Sequence, residues 1–93
     1  MADVLGCYAT SSLVDTGEGQ LAGIVVSVSV DSAEQIIIYD NTSAGGNWLF
    51  TAWITGHNPL VIFFSERFAP IYWTGLYITV GAHMLATIWT RQV

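Results

Sequence analysis

Two serines, an aspartate and a histidine are the residues of this chain that could, by type, form a catalytic triad. They are Ser11, Ser12, Asp15 and His57. A triad needs a nucleophile presented on a sharp turn, with a base and an orienting carboxylate within hydrogen-bond reach, and no motif around either serine provides such a turn. The sequence therefore predicts polar loop residues here and a protein that is not an enzyme.

Metal-ligating residue types are present but scattered. Cys7 is the single cysteine of the chain and can form no internal disulfide, and His57 and His83 lie too far from it in sequence to complete a zinc cluster. Asp40 beside Asn41 suggests calcium ligands, but the spacing of acidic oxygens in an EF-hand is missing. The sequence predicts no metal and no cofactor, and indicates that the carboxylates are solvated turn residues.

The charge balance is acidic. Seven carboxylates accompany two arginines and no lysine, for a net charge of −5. Nucleic-acid binding requires cations that neutralise phosphates, so the composition argues against DNA or RNA as a partner. The first residues lack the basic and apolar regions of a signal peptide, and we expect synthesis in the cytoplasm.

One long uncharged segment allows a membrane interpretation. Residues 68–90 are free of Asp, Glu, Lys and Arg and are numerous enough for a helix to cross a bilayer. Pro70, Gly75 and Gly81 interrupt that segment, and its apolar residues alternate with polar ones as in a strand. The sequence therefore favours a sheet over a membrane helix and predicts no membrane partner.

Alternation of apolar and polar residues defines the expected elements. Leu76, Ile78 and Val80 would share one face of a strand, and Ile24, Val26, Val28 and Val30 one face of another. Residues 40–46 have the composition of a turn. Seven or eight short strands without a helical period predict an all-β fold, a small antiparallel β-sandwich or jelly-roll-like domain over residues 21–93, preceded by an N-terminal arm and loop over residues 1–20.

Three details of this prediction concern where particular segments lie. Residues 4–10 would form a first short strand that could add to a neighbouring subunit's sheet. Regular alternation over residues 47–55 would place Trp48 and Trp53 on opposite faces. Residues 71–80 would form one strand paired with the last strand of the chain.

The excess of apolar residues is the strongest functional signal. The chain is 53% hydrophobic and 10% charged, and a domain of this size buries only roughly 60–65% of the surface of its unfolded chain. Large exposed apolar patches mark contact sites, so the sequence predicts a homo-oligomer. The residues expected at subunit or partner contacts are aromatic: Trp48, Trp53, Phe63, Phe64, Phe68, Tyr72, Trp73 and Trp89. Exposed aromatics could alternatively form a platform on which sugar rings stack.

Several segments resemble a group of small virion proteins of tailed bacteriophages. The residues that carry the likeness are Gly23–Val26, the IYDNTS segment before the pair Gly45–Gly46, the GLYITV strand at residues 75–80, and the terminal strand around residues 86–89. The likeness covers roughly residues 21–91. The chain departs from the group in its load of tryptophan.

The resemblance implies a role on the surface of a phage head. A capsid decoration (cement) protein of this kind would be a sandwich that binds the major capsid protein and stabilises the shell as a homo-oligomer, with a trimer as its expected order. It implies no catalytic residue and a location on the virion. The alternative is a small tail or fibre component, or a glycan-binding module.

Overall fold

The computed structural model describes residues 4–56, 58–65 and 67–91, and these fold into strands without any helix. His57, considered above as a triad base, lies outside the described residues. The strands are β1 (Val4–Tyr8), β2 (Ser12–Thr16), β3 (Gly19–Val28), β4 (Glu34–Asp40), β5 (Asn47–Ile54), β6 (Leu60–Phe63), β7 (Ile71–Tyr72), β8 (Gly75–Thr79) and β9 (Met84–Arg91).

The strands form two antiparallel sheets packed face to face. Sheet A has the order β1-β9-β3-β6, and β7 pairs with the first residues of β3. Sheet B has the order β2-β8-β4-β5. This arrangement is a β-sandwich, which confirms the fold class predicted from the alternation of the sequence.

The core lies between the sheets and is built mainly from aliphatic residues. Ile24, Val26 and Val28 point inward from β3, as predicted, and Leu76 and Ile78 do so from β8. Each fully buried aliphatic side chain stabilises the fold by roughly 1.5–3 kcal/mol relative to an exposed one. The other core members are Leu21, Ile36, Ile38, Ile54, Tyr72, Met84, Ala86 and Ile88.

The N-terminal segment supplies one edge strand to each sheet. β1 pairs along β9 in sheet A, and β2 pairs along β8 in sheet B. The sequence predicted a strand in the first of these segments and an exposed loop in the second. A register shift between Leu13 and Asp15 interrupts the alternation of β2, and this is why the pattern did not reveal it.

The segment expected to form one strand over residues 71–80 divides between the two sheets. Ile71–Tyr72 pairs with β3, and Gly75–Thr79 pairs with β2 and β4. At the crossing, where the chain passes from sheet A to sheet B, Asp40 Oδ1 accepts hydrogen bonds from the backbone N–H groups of Trp73 and Thr74, both at 2.9 Å. The carboxylate thereby satisfies two amides that have left one ladder and not yet entered the next.

The prediction that residues 71–80 pair with the last strand was wrong because that segment divides between the two sheets. β8 belongs to sheet B, whereas β9 pairs with β1 and β3 in sheet A. The connection between them is held by Glu34, whose Oε1 accepts a hydrogen bond from the His83 backbone N–H at 3.2 Å and whose Oε2 lies 3.0 Å from His83 Nδ1. In the described ranges no helix could cross a membrane.

Tyr72 joins the two sheets at one end of the core. Its side chain is fully buried, and its phenol donates a hydrogen bond of 2.6 Å to Asp15 Oδ2 in β2. Burial, followed by the hydrogen bond and the negative charge of Asp15, raises the pKa of the Tyr72 phenol above its ordinary value, and a hydrogen bond with Thr90 acts in the opposite direction. The phenol therefore stays protonated in the folded chain at pH values that ionise a free tyrosine.

This difference predicts a loss of stability in alkali. Because the folded phenol keeps its proton, its contribution is complete below the unfolded pKa of about 10 and falls by about 1.4 kcal/mol per pH unit above it. We expect urea unfolding at pH 9 and pH 11 to show this loss, and Tyr72→Phe to lack it, since the variant has no phenol to ionise. An equal loss in both proteins would contradict the assignment.

Candidate interaction surfaces

The outer face of sheet A is apolar from one edge strand to the other. We call it face A and define it by the side chains that alternate with the buried ones and point away from the core: Leu5, Cys7, Val25, Ser27, Val61, Phe63, Leu85, Thr87 and Trp89. Leu5, Val61, Phe63 and Leu85 each expose between 50% and 62% of their surface. Together the face leaves on the order of 500 Å² of apolar surface in water, as much as the largest patch of a typical monomer.

An aromatic pair lies at the centre of face A. The rings of Phe63 and Trp89 are 5.0 Å apart between centroids and inclined at 59°, a favourable tilted geometry. Gly23 lies between them on β3, paired with Phe63 on one side and Trp89 on the other. A Cβ at Gly23 would come within 2.5 Å of Phe63 Cδ1, so the missing side chain is what lets the two rings meet.

The described charged residues lie at the ends of strands and in the connections. Glu18 and Asp31 belong to loops, Glu34 begins β4 and Asp40 ends it. Arg91 ends β9 at the rim of face A. No charged side chain of the described residues interrupts face A between these ends, so an apolar partner can cover the face without desolvating a charge.

The outer face of sheet B differs in chemistry. We call it face B and define it by Leu13, Gln35, Ile37, Tyr39, Trp48, Thr51, Trp53, Tyr77 and Thr79. Its register places Trp48, Tyr39, Tyr77 and Leu13 directly opposite one another across four strands. Aromatic rings and hydroxyl or amide groups alternate on this face, whereas face A is largely aliphatic.

Both exposed tryptophans of β5 lie on face B, and the prediction of opposite faces was wrong. β4 and β5 change register between Ile38 and Tyr39, so that Tyr39 lies opposite Trp48 while Ile38 lies opposite Phe50. The extra residue in β5 reverses the alternation there. Trp48 and Trp53 consequently point the same way, with 58% and 68% of their surface exposed.

The eight aromatic residues predicted to make contacts occupy five environments. Phe63 and Trp89 belong to face A, and Trp48 and Trp53 to face B. Phe68 and Trp73 are exposed in connections between strands, Phe64 is partly buried against the core, and Tyr72 lies in the core without exposed surface. Sequence reasoning missed the aliphatic members of face A. The continuous apolar run Leu60–Phe63 could have indicated them, because a strand with one face in solvent normally alternates apolar and polar residues.

The residues considered for chemistry make structural hydrogen bonds. Ser11 Oγ accepts the Val80 N–H at 2.9 Å, Ser12 Oγ donates to the Thr10 carbonyl at 2.8 Å, and Asp15 accepts the phenol of Tyr72. Cys7 Sγ is 3.7 Å from the Thr87 hydroxyl on face A. In the part of the chain that the structure describes, no three His, Cys, Asp or Glu side chains come together as a metal site.

The comparisons with known proteins add no relative. No protein-family model, curated protein or solved structure matches this chain. The fold, the two faces and the resemblance of particular segments are therefore the grounds for a function.

Proposed function

We propose that this chain is a structural protein that assembles through face A, and that it decorates the head of a tailed bacteriophage as a cement protein. The observation that carries the proposal is the largely apolar face across sheet A, on which the polar side chains, Ser27 and Thr87, are uncharged. Apolar surface of this extent stabilises a contact once water is removed, and a patch of this size is often a functional site.

The area of face A fits a contact with another subunit. Covering about 500 Å² with an equal area of a neighbour buries roughly 1,000 Å² in total, which is the lower limit for a specific interface. At about 25 cal/mol per Å² this corresponds to roughly 25 kcal/mol before the costs of association, which are about 4–15 kcal/mol or more. We therefore propose a homo-oligomer, with the trimer implied by the resemblance as its expected order.

The charges support the same role. A net charge of −5 keeps the free subunits soluble. The charged residues that the structure describes lie around the two outer faces and not on them. The phage context rests on the resemblance of the IYDNTS and GLYITV segments. The second partner in this proposal is the major capsid protein of the head.

The test places one charge at a time on face A. We expect Val61→Asp and Leu85→Asp to leave the fold intact, because both side chains are half exposed, and to convert the oligomer to monomer in sedimentation-velocity ultracentrifugation. Ser43→Asp, in the exposed β4–β5 connection, is the matched control and should sediment as the wild type does.

Binding to the shell is measured separately. The wild-type chain should co-sediment with heads of the phage that encodes it, and electron microscopy should show added density on their surface. A wild-type chain that sediments as a monomer would refute the self-assembly, and one that fails to bind those heads would refute the decoration role.

A further inference from the structure

We propose that face B is a binding site for a neutral oligosaccharide, a function that does not depend on assembly through face A. The proposal rests on the pattern of side chains across sheet B. The row Trp48–Tyr39–Tyr77 sets three aromatic residues opposite one another, and Trp53 lies on the same face at the level of Gln35. Trp48 and Trp53 are the exposed rings of this face, whereas Tyr77 is partly buried and Tyr39 is only 9% exposed.

The spacing of the two tryptophans suits an extended ligand. Trp48 pairs with Tyr39 and Trp53 with Gln35, four residues apart on β4, so the two side chains are about 13 Å apart along the strand. Thr51 and Ile37 lie between them. A ligand that contacts both tryptophans must therefore run along β5, as a chain of several sugar rings can.

The chemistry of face B matches a sugar better than an aliphatic protein surface. A pyranose ring offers C–H bonds on its faces, which pack against the negative face of an aromatic ring, and hydroxyls at its edges. Face B supplies the exposed rings of Trp48 and Trp53. Gln35 supplies an amide, which is held by a hydrogen bond of 3.0 Å from its Nε2 to Thr51 Oγ1, and the Thr51 hydroxyl in turn donates to the Ile36 carbonyl at 3.1 Å.

Neutrality of the ligand follows from the charges. Asp40, at the end of β4, directs its Oδ1 to the backbone of Trp73 and Thr74, and Glu34, at the other end, is engaged with His83. The residues that define face B are all uncharged. A charged saccharide would find no counter-charge on this face and would lose its hydration on binding.

Polar groups of the β4–β5 connection lie beside the row of aromatic residues formed by Trp48, Tyr39 and Tyr77. The β4–β5 connection carries Thr42 and Ser43, both exposed, and is shaped by the Asn41 side chain, which donates to the Gly45 carbonyl at 3.1 Å. The nearby Trp73 is exposed at the crossing to β8. The site is therefore an aromatic platform with hydroxyl groups at its rim.

The experiment titrates the full chain with four neutral hexasaccharides, maltohexaose, cellohexaose, chitohexaose and xylohexaose, by isothermal titration calorimetry. We expect at least one to bind with a Kd of about 1 mM or lower. Trp48→Ala and Trp53→Ala should each weaken that binding about tenfold, since each removes one of the two exposed rings on which a sugar can stack.

The controls separate this site from face A. Val61→Asp should bind the saccharide as the wild type does, even where it no longer assembles. The proposal is overturned if none of the four saccharides binds with a Kd of about 1 mM or lower, or if Trp48→Ala and Trp53→Ala bind them unchanged. It is also overturned if the two alanine variants lower the oligomeric mass, because face B would then be a contact between copies of the chain.

Discussion

Ile38→Ala is expected to destabilise the domain by about 2–5 kcal/mol, a large part of the 5–15 kcal/mol that holds a domain of this kind folded. Ile38 is completely buried, and it lies opposite Phe50 on β5 and Ile78 on β8, so its side chain occupies the centre of sheet B's inner face. Truncation removes three carbon atoms from a site whose neighbours belong to paired strands and can collapse little. Urea unfolding followed by circular dichroism measures the loss.

Ile37→Ala is the matched control for that variant. Ile37 is the preceding residue of the same strand, has the same side chain, and points outward between Thr51 and Thr79. We expect it to cost about 1 kcal/mol or less, because its side chain is only partly buried. Equal losses in the two variants would show that the inner and outer faces of sheet B are assigned wrongly.

Gly19→Ala is expected to cost about 2–4 kcal/mol, since it overpacks the buried end of the core. A Cβ at Gly19 would overlap the hydroxyl of Tyr72, which lies opposite it in sheet A. The ring is fully buried and hydrogen-bonded to Asp15, so it cannot move aside without breaking that bond. Thermal and urea unfolding of the variant measure the cost.

A double-mutant cycle shows whether the cost comes from this contact. Tyr72→Leu replaces the phenol ring with a smaller aliphatic side chain, and is itself destabilising. In that background the added cost of Gly19→Ala should fall below about 1 kcal/mol, which gives a coupling of at least about 1 kcal/mol between the two positions. Strictly additive costs would mean that Gly19 is required for a reason other than the space taken by Tyr72.

The two outer faces explain why this domain can be so apolar. The inner faces of both sheets hold an aliphatic core, so the remaining aromatic and aliphatic residues of the strands must point outward. They do so in two separate chemistries, aliphatic with one aromatic pair on face A and aromatic with polar groups on face B. Because the faces lie on opposite sides of the sandwich, one can hold a protein partner while the other binds a second ligand.

Sequence alternation was sufficient for the fold class and for much of the core. The buried positions follow the period of two from Ile24 to Val28 in β3 and from Leu76 to Thr79 in β8, since a strand with one face in the core repeats its side-chain direction every second residue. A register shift between Leu21 and Gly23 interrupts the period at the start of β3. The continuous apolar run of β4 belongs to a strand that lies between β8 and β5.

The sheet to which each strand belongs depended on distant residues. Nothing within residues 71–80 shows that the chain crosses from sheet A to sheet B at Trp73. The crossing is held by Asp40, more than thirty residues earlier in the chain. Local periodicity carries no information on such a contact, because the carboxylate that satisfies the two amides is brought there only by the pairing of β4 with β8.

The amino-acid sequence by itself determined that this chain folds as a two-sheet β domain with more apolar surface than its core can hold. Only the tertiary structure decided where that surplus lies. The bulge in β5 turns Trp48 to the same side as Trp53, Gly23 lets Phe63 meet Trp89, and Tyr72 is enclosed in the core. The reason is physical: a strand's period sets which residues share a face, but register shifts and packing between distant strands set which face meets water.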